Sequence, residues 1–407
     1  MKILFLSEEF PPINFGGSGA VAYSLASGLK KRGHDVFIIT SVQKKSEQGE
    51  INFNGLKIFR IQSNYHNRWR AWLSLYNPQV VFKIEKIIKE IKPDIVHAHN
   101  VHTYLSYYCF KIAKKYAKAV FLTAHDVMLI HTGKLMPKNG NCMFKLSALD
   151  QIKDAKKRYN PFRNIIIKHY LKYVDRIFAV SNTLKHVLEI NGIKNIETIY
   201  NGIDVNDWQI NKVEVEKFKK KYNLANKKVI IFSARLIEAK GGDQLIESLS
   251  LVNQKFSNFI LLVVGRKWDY TEKLKKLSDD FKIKEKIIFT NFLEKNELKS
   301  AYYSSDISVL PSLCFETFGM TNLEAMACKK PVISTYFGGP SEVVVDKETG
   351  YLIDPNNTEL MAKKIIDLLK NLEKANVFGR AGHNRAEEKF SLNKQIEKIL
   401  KWYNKYV

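Results

Sequence analysis

The pattern of hydrophobic and polar positions divides the chain into two kinds of segment that alternate. Short runs of β-branched and apolar residues predict strands, and the segments between them have a helical period, apolar on one face and lysine-rich on the other, as in residues 80–92. The predicted strands are 2–7, 35–40, 93–99, 119–125, 175–181 and 196–201, followed by 228–234, 259–265, 286–292, 307–312 and 331–336. Strands that alternate with helices are typical of parallel sheets covered on both faces.

The strand pattern stops and restarts across the polar stretch 201–228, which reads as a connection between two units. A chain of 407 residues is also too long for one ordinary core. We therefore predict an α/β protein with two doubly wound domains, 1–204 and 205–385, and a C-terminal helix in 386–407 that packs back toward the first domain. Ligands of such domains bind at the carboxyl ends of the strands, so a cleft there is the expected site.

Composition narrows the class of protein. Apolar residues make up 45% of the chain, and the longest apolar runs, such as residues 259–265, are far shorter than the roughly 20 residues that span a bilayer. Residues 1–12 are too short an apolar stretch for a signal peptide. The four cysteines form neither a CxxC pair nor a metal-ligand spacing, which favours reduced thiols. We expect a cytoplasmic protein.

The net charge of +24 is unevenly distributed. Residues 1–204 contain 31 Lys and Arg against 15 Asp and Glu, whereas residues 205–407 contain 34 against 26. The excess in the first half is consistent with an acidic partner, such as nucleic acid, anionic lipid or a phosphorylated substrate. Solvated helix faces in a lysine-rich proteome would explain it equally well.

Two glutamates, Glu316 and Glu324, lie eight positions apart, the first in a predicted loop and the second in a predicted helix. If the segment were wholly helical, the carboxylates would be about 12 Å apart, wider than the roughly 5–10 Å of a glycosidase pair. That separation suits the two ends of an elongated ligand such as a nucleotide sugar. The helix start would attract a phosphate, and Glu324 could accept hydrogen bonds from both hydroxyls of a ribose.

Two further segments carry candidate phosphate ligands. Arg235 and Lys240 lie in a turn of small residues after a predicted strand, where two cations could neutralise a diphosphate leaving group without a metal. Gly16 and Gly17, with Gly19, open a predicted helix after the first strand, where the backbone can approach a phosphate or sugar closely.

Two segments of the sequence partly match other classes of site. The spacing Gly17-x-Gly19-x-x-Ala22 matches a dinucleotide fingerprint, but it begins about ten residues after the strand and no acidic residue follows the next strand. The close spacing of three histidines, His97, His99 and His102, is compatible with a metal site. The sequence offers no obvious carboxylate or cysteine as a further ligand, so histidines packed at the end of a strand are the better interpretation.

Ordered motifs link nearly the whole chain to one family. They are "EEFPP…GGSG", "PDIVHAHN", "TAHD", "AVSN…NGID", "ARLIEAKGG" and the E-x7-E pattern within "CFETFGMTNLEAMACKKPVIS…GGPSEVV". Each is weak alone, but the ordered set resembles the retaining glycosyltransferases of family 4 (glycosyl transferases group 1), whose GT-B fold comprises two Rossmann-like domains facing across a cleft.

The resemblance implies a role for each candidate residue. Glu324 would hold the ribose, and Arg235 and Lys240 the diphosphate, while Glu316 would reach hydroxyls of the donor sugar. On the opposite wall, the resemblance implies that Gly16 and Gly17 line the site and that His125 contacts the sugar near the reacting carbon.

Three positions depart from the family pattern. The loop after residue 265 is usually Gly-rich and acidic, but here Arg266 and Lys267 add charge near the diphosphate. Lys329 stands where glycine is common and affects the helix end more than the site. Residues 125–144 resemble an insertion near the acceptor, but Cys142 lacks companion cysteines, so zinc is not expected there.

The resemblance implies a metal-independent, retaining hexosyltransferase without a cofactor, acting on a UDP- or GDP-linked sugar and a glycan or lipid-linked acceptor. Polysaccharide or glycolipid biosynthesis is the expected setting. A GT-B sugar-nucleotide epimerase or a glycogen-synthase-like enzyme is the near alternative. A nucleic-acid-binding protein is suggested only by charge, and the sequence lacks the motifs for it.

The basic first half also predicts a peripheral site on the inner face of the cell membrane. Trp69, Trp72 and Tyr76 lie beside Arg68 and Arg70, a mixture typical of a headgroup boundary. Lysines at helical spacing add charge in three segments, namely Lys83, Lys86, Lys89 and Lys92, then Lys111, Lys114, Lys115 and Lys118, then the run from Lys153 to Lys172.

Overall fold

The computed structural model describes residues 1–13, 16–133, 145–155, 159–266 and 269–407. They fold into two compact units. The first contains the described residues from Met1 to Gly202 together with Leu392–Val407, and the second contains Ile203–Ser391.

The first unit is built on an eight-stranded sheet. Its strands are β1 (Lys2–Leu6), β2 (Asp35–Val42), β3 (Gly49–Phe53), β4 (Leu56–Gln62), β5 (Ile95–Ala98), β6 (Ala119–Ala124), β7 (Arg176–Ala179) and β8 (Ile196–Thr198). The spatial order is β3-β4-β2-β1-β5-β6-β7-β8, and every pair is parallel except the edge hairpin β3–β4. Because both faces are covered, β1, β5 and β6 are almost continuously apolar and buried.

Seven described helices accompany this sheet before residue 202. They are α1 (Gly17–Lys31), α2 (Arg70–Leu73), α3 (Val81–Ile91), α4 (Cys109–Tyr116), α5 (Ala148–Ala155), α6 (Arg163–Leu171) and α7 (Asn182–Ile190). The apolar face of α1 buries Leu25 and Leu29 in a core shared with Ile3 and Phe5 of β1.

The second unit repeats the plan with a six-stranded parallel sheet. Its strands are β9 (Lys228–Ser233), β10 (Phe259–Val264), β11 (Ile287–Asn291), β12 (Ile307–Leu310), β13 (Val332–Thr335) and β14 (Gly350–Ile353), in the order β11-β10-β9-β12-β13-β14. Its helices are α8 (Lys212–Lys221), α9 (Gly242–Lys255), α10 (Asp269–Asp280), α11 (Lys295–Ser304), α12 (Met320–Ala327), α13 (Pro340–Val343), α14 (Thr358–Lys370) and α15 (Leu372–Phe390).

The last helix, α16 (Leu392–Tyr403), belongs to the first unit. Ile396, Ile399 and Tyr403 are buried in the same core as α1 and β1. Residues 386–390, by contrast, are the end of α15 in the second unit. The chain therefore crosses from the first unit to the second after Gly202 and returns at Leu392.

The polar stretch 201–228 is not a simple connection. Within it, Asn211 caps α8 by accepting a hydrogen bond from the backbone N–H of Val213, and Val215 and Phe218 are buried. From Ile203 onward this stretch is thus an integral part of the second unit.

Candidate active site

The candidate residues of the first unit lie at the carboxyl ends of three adjacent parallel strands. Leu6, Ala98 and Leu122 are aligned across β1, β5 and β6. Glu8 and Glu9 follow β1, while His99 follows β5 by one residue and His125 comes directly after β6. These strand ends are where a doubly wound sheet binds its ligand.

The glycine segment begins a helix as the sequence predicts. Gly16 is the N-cap and Gly17 the first residue of α1. Ser18 anchors this turn, because its hydroxyl donates to Glu9 at 3.0 Å and accepts from the Asn100 side chain at 3.1 Å. A Cβ built on Gly17 would have no neighbouring atom within 4 Å, so packing does not require glycine there.

His125 is held by a second histidine, His99. His125 Nε2 lies 2.8 Å from His99 Nδ1, and the rings are stacked with centroids 5.1 Å apart. Burial, reinforced by the neighbouring His97 and His125, holds the pKa of His99 well below its usual value, so His99 is neutral. A neutral His99 can either donate its Nδ1 hydrogen to His125 or accept a hydrogen from it, so the tautomers of the two rings are linked.

The other two histidines have neighbours of their own. His97 Nδ1 lies 2.6 Å from the Tyr403 hydroxyl and its Nε2 lies 2.8 Å from Thr123 Oγ1, which satisfies both ring nitrogens. Burial lowers the pKa of His97 to about 3. His102 Nε2 faces Asp126 at 3.3 Å. Among the residues that the structure describes, no group of three or more His, Cys, Asp or Glu could hold a metal ion.

In the second unit, Lys240 and Glu316 form an ion pair, with side chains only 13% and 12% exposed. The Ser312 hydroxyl also donates to the same carboxylate oxygen. Burial opposes both charges, but the attraction of the pair prevails, raising the pKa of Lys240 and lowering that of Glu316. Arg235, after β9, is close enough to lower the pKa of both groups, because its positive charge favours the Glu316 carboxylate and disfavours the Lys240 ammonium.

The loop that carries Glu316 is held in place by two glycines that pack against it. The Glu316 N–H donates to the Phe337 carbonyl at 3.0 Å, and its carbonyl accepts from Gly339 N–H at 2.7 Å. Gly338 has a φ of +92°, and a Cβ there would lie 2.2 Å from the Glu316 carbonyl oxygen. Only glycine allows this approach.

The turn that carries Lys240 also depends on a position that only glycine can occupy. Gly241, which follows it, has a φ of +74°, and a Cβ there would lie 1.9 Å from the Pro311 carbonyl oxygen. Gly241 is the N-cap of α9, so it places the Lys240 turn against the end of β12.

Glu324 lies on α12, one turn into the helix that begins at Met320. Tyr302, which is fully buried, donates its hydroxyl to Glu324 Oε2 at 3.1 Å. Burial nevertheless raises the pKa of Glu324 to about 7. The carboxyl group therefore binds a proton more readily than an exposed glutamate does.

The structure thus brings Arg235, Lys240 and Glu316 together in the second unit, and Gly16, Gly17 and His125 to one edge of the first sheet. Arg266 stacks on Phe292, with its guanidinium carbon 5.2 Å from the ring centroid. Lys267 and Cys142 lie outside the described residues. The sequence analysis named His99 only as one of three packed histidines, and it did not identify the supporting residues Ser312, Tyr302 and Gly338. His99 and Gly338 stand in quoted motifs.

Two family models cover most of the chain. Residues 15–207 match Glycosyltransferase Family 4, and residues 214–385 match Glycosyl transferases group 1. The chain belongs to this glycosyltransferase family. An uncharacterized glycosyltransferase of Methanocaldococcus jannaschii, MJ1607, is 25% identical over 366 residues, which is 89% of this chain and 87% of that protein.

Solved structures of glycosyltransferases share the fold. Sucrose-phosphate synthase from Thermosynechococcus elongatus superposes with a TM-score of 0.79 at 18% identity, covering 100% of this chain and 99% of that one. Alr3699/HepE of Anabaena, in complex with UDP and glucose, superposes with a TM-score of 0.75 at 16% identity over 100% of both chains. The fold predicted from the sequence, GT-B, is confirmed, and the motifs placed the chain in the correct family.

Proposed function

We propose that this glycosyltransferase moves a hexose-type sugar from a UDP- or GDP-linked donor to a hydroxyl of a glycan or lipid-linked acceptor, with retention of configuration. The observation that carries the proposal is the buried Lys240–Glu316 pair with Arg235 beside it, at the carboxyl ends of β9 and β12. Two cations and one carboxylate match the needs of a diphosphate and the sugar attached to it. The Anabaena neighbour that binds UDP and glucose supports a nucleotide sugar as co-substrate.

In this proposal the diphosphate binds to Arg235 and Lys240. The bond between the anomeric carbon and the phosphate oxygen breaks, and a bond to the acceptor oxygen forms on the same face of the sugar. The departing phosphate oxygen takes the acceptor's proton. The two cations stabilise the charge that develops on the leaving group, so the reaction needs neither a divalent metal nor a side-chain nucleophile.

Glu316 has a second role in this proposal. In the resting protein it neutralises Lys240. When the diphosphate takes over as counter-ion, the Glu316 carboxylate can accept hydrogen bonds from hydroxyls of the donor sugar. Glu324 accepts hydrogen bonds from the ribose, and the first unit, with Gly16, Gly17 and His125, contacts the sugar and the acceptor.

The proposed setting is polysaccharide or glycolipid biosynthesis in the cytoplasm, at the inner face of the membrane. In the described parts of the chain, no helix is long and apolar enough to cross a bilayer. Peripheral attachment through the basic first unit would bring the enzyme to a lipid-linked acceptor.

A donor screen tests the proposal. Purified protein is incubated with a panel of UDP- and GDP-sugars, with and without EDTA, and release of nucleoside diphosphate is followed by mass spectrometry. One donor should be hydrolysed slowly in both conditions. Loss of hydrolysis in EDTA, restored by a divalent ion, would contradict the metal-independent mechanism, and isomerised donor without hydrolysis would indicate an epimerase. Elongation of a glucan primer would instead indicate a glycogen-synthase-like enzyme.

Replacing either cation should reduce turnover of that donor. Arg235→Ala and Lys240→Ala should each lower it roughly 100-fold or more, because each removes a few kcal/mol of leaving-group stabilisation. Lys273→Ala is a matched control, since this lysine of the same unit pairs with Glu238 and Asp243 on the surface. Equal turnover in all four proteins would refute the assignment of the diphosphate site.

A further inference from the structure

Six of the large apolar side chains that the first unit exposes lie on three segments, one near residue 70 and two between residues 149 and 165. Trp69 and Trp72, in and just before α2, are half exposed. Leu149 and Ile165 are 77% and 68% exposed, and each lies three residues from another exposed apolar side chain. The six residues, termed here the apolar face, are Trp69, Trp72, Leu149, Ile152, Phe162 and Ile165.

Hydrogen bonds join these segments into one surface. The Asn160 side chain, just before α6, donates to the Ala71 carbonyl in α2 at 3.0 Å. The Asn164 side chain in α6 donates to the Gln151 side chain in α5 at 2.9 Å and to the Ile130 carbonyl at 3.1 Å. Helices α2, α5 and α6 are thus held next to one another by buried or half-buried amides.

At the start of α6 the burial pattern is the reverse of that expected in water, although further along Ile167 is buried and Lys168 is exposed. Arg163 is 3% exposed and its guanidinium donates to the Met128 carbonyl, whereas the neighbouring Phe162 and Ile165 point outward. In α5, Leu149 and Ile152 are exposed at a spacing of three residues, and Ala155 is buried. A charged residue inside and apolar residues outside indicate a surface adapted to an apolar environment.

Basic side chains border the apolar face. Arg68, Lys153, Lys168 and Lys172 are all exposed. The two acidic residues of α5 have local contacts, because Asp150 accepts from Ser147 at the helix start and Asp154 lies 3.0 Å from His131. The four cations outnumber these two carboxylates, so the rim has a net positive charge.

Three of the lysines from Lys111 to Lys118, which the sequence suggested for the same purpose, form ion pairs. Lys114 pairs with Asp175 at 2.7 Å, Lys115 with Glu85 at 3.1 Å and Lys118 with Asp94 at 3.0 Å. On α3, Lys86 faces Glu90 at 3.9 Å, whereas Lys83 donates to the neutral side chain of Gln48. These ion pairs reduce the positive charge that the paired lysines can offer to an anionic partner.

We propose that the apolar face, with its basic rim, docks the first unit on the surface of an anionic lipid bilayer. Tryptophan and branched aliphatic side chains would enter the headgroup boundary, and the rim would contact lipid phosphates. The proposal extends the membrane setting of the proposed function to a defined surface. Lipid binding is measured without donor or acceptor, so it and the glycosyl transfer can fail separately.

Co-sedimentation with vesicles tests the docking. The full-length protein is mixed with vesicles of phosphatidylcholine alone or with added phosphatidylglycerol, at low and high salt. It should pellet only with phosphatidylglycerol, and less at high salt. Phe162→Ser with Ile165→Ser, and separately Trp69→Ala with Trp72→Ala, should each lower the partition coefficient about tenfold.

Two controls make the result specific. Phe281→Ser with Leu372→Ser removes two exposed apolar side chains of the second unit and should leave pelleting unchanged. Because all substituted side chains are exposed, circular-dichroism melts of every variant should match the parent protein. Lys153→Glu with Lys168→Glu should abolish the preference for phosphatidylglycerol.

Three outcomes would overturn the proposal. They are equal pelleting with neutral and anionic vesicles, no pelleting with either, or the same binding in the apolar-face variants as in the parent. Light scattering tests whether a second copy of the chain covers the apolar face instead of lipid. This would be the result if the parent protein does not bind vesicles and is a dimer, and the variant Phe162→Ser with Ile165→Ser is a monomer.

Discussion

Lys240 and Glu316 each act as the counter-ion of the other when no substrate is bound. Two opposite charges with little exposure are stable together, whereas either one alone would be an uncompensated buried charge. Substituting Glu316 therefore affects Lys240 as well, and a variant at one position reports on both. Glu316→Gln keeps the shape and the hydrogen bond from Ser312, which makes it a cleaner probe than Glu316→Ala.

Glu324 should show a conflict between stability and donor binding. Its pKa of about 7 lies above the roughly 4.3 of an unfolded chain, so folding takes up a proton between these values and stability falls as pH rises through that window. Glu324→Gln removes the penalty. We expect the variant to be more stable than the parent at pH 8, by roughly 1–3 kcal/mol, and not at pH 4.5.

The same substitution should weaken donor binding, because an amide cannot accept hydrogen bonds from both ribose hydroxyls through equivalent oxygens. Thermal melts at the two pH values and calorimetric titration with the donor measure the two effects. A variant that is less stable than the parent at pH 8, or that binds donor equally well, would contradict this account of the carboxylate.

His99 should control the proton position on His125. Its Nε2 has no hydrogen-bond partner among the described residues, so burial of an unpaired donor is avoided when the proton is on Nδ1 and is donated to His125. We expect His99→Ala to lower turnover roughly tenfold or more and to shift the pH–rate profile, since the ring of His125 loses its orientation.

His99→Asn should recover part of that loss, because the amide N–H of asparagine lies near the position of Nδ1. The test is to measure kcat and KM of both variants as a function of pH. Equal losses in both, with an unchanged pH profile, would indicate that His99 only fills space.

At the level of elements, every strand predicted from the sequence is present, with ends within about three residues, because buried parallel strands are continuous apolar runs. The hairpin β3–β4 was missed, although Asn54-Gly55 between alternating residues is a strong hairpin signal. Asn54 and Gly55 have φ values of 49° and +77°, as that turn requires. Strand β14, which begins at a glycine, was also missed. Helix α8 was missed because its five lysines mask the apolar positions Val215 and Phe218.

The candidate residues could be predicted because their chemical types stand in recognisable motifs. Their supporting partners could not, since His99, Tyr302 and Gly338 act through contacts with segments 26, 22 and 22 residues away along the chain. Such contacts depend on which strand ends are neighbours, and strand order is not readable from the local pattern.

The start of α1 offers a test that separates activity from folding. Gly17→Ala places a methyl group in open space at the first residue of a helix, so stability should be unchanged or slightly increased. If donor or acceptor approaches this backbone, activity should fall at least tenfold. Melting temperature and turnover are measured together, and full activity would show that no substrate contacts Gly17.

Gly241→Ala is the contrasting variant. Its Cβ would collide with the Pro311 carbonyl, and its backbone is in the left-handed region, so this substitution should destabilise the protein by a few kcal/mol.

At the level of the whole molecule, the first unit depends on the end of the chain. Tyr403 of α16 is fully buried and its hydroxyl contacts His97 in β5, while Ile396 and Ile399 fill the core over α1. The two residues at which the chain passes from the first unit to the second are each bonded within their own unit. Gly202 N–H donates to the Gln395 side chain in α16, and Ile203 N–H donates to the Phe390 carbonyl.

A fragment experiment follows from this connectivity. Residues 1–202 alone should be poorly soluble or should melt well below the full-length protein, because the core surface covered by α16 is exposed. Joining residue 202 to residue 392 by a short Gly-Ser linker should restore a cooperative melt of the first unit. The control replaces Ile396 and Ile399 with Ser in the linked fragment, and a stable, cooperative 1–202 fragment would disprove the dependence.

The same connectivity has a consequence for biosynthesis. A ribosome synthesises residues 1–202 first, yet the helix that completes their core is made only after residues 203–391. While the second unit is being synthesised, the surface of α1 and β5 that α16 covers stays exposed, because α16 is encoded almost two hundred residues downstream of residue 202. The second unit, which is continuous from Ile203 to Ser391, can complete its fold before the first, so the order of folding would be opposite to the order of translation.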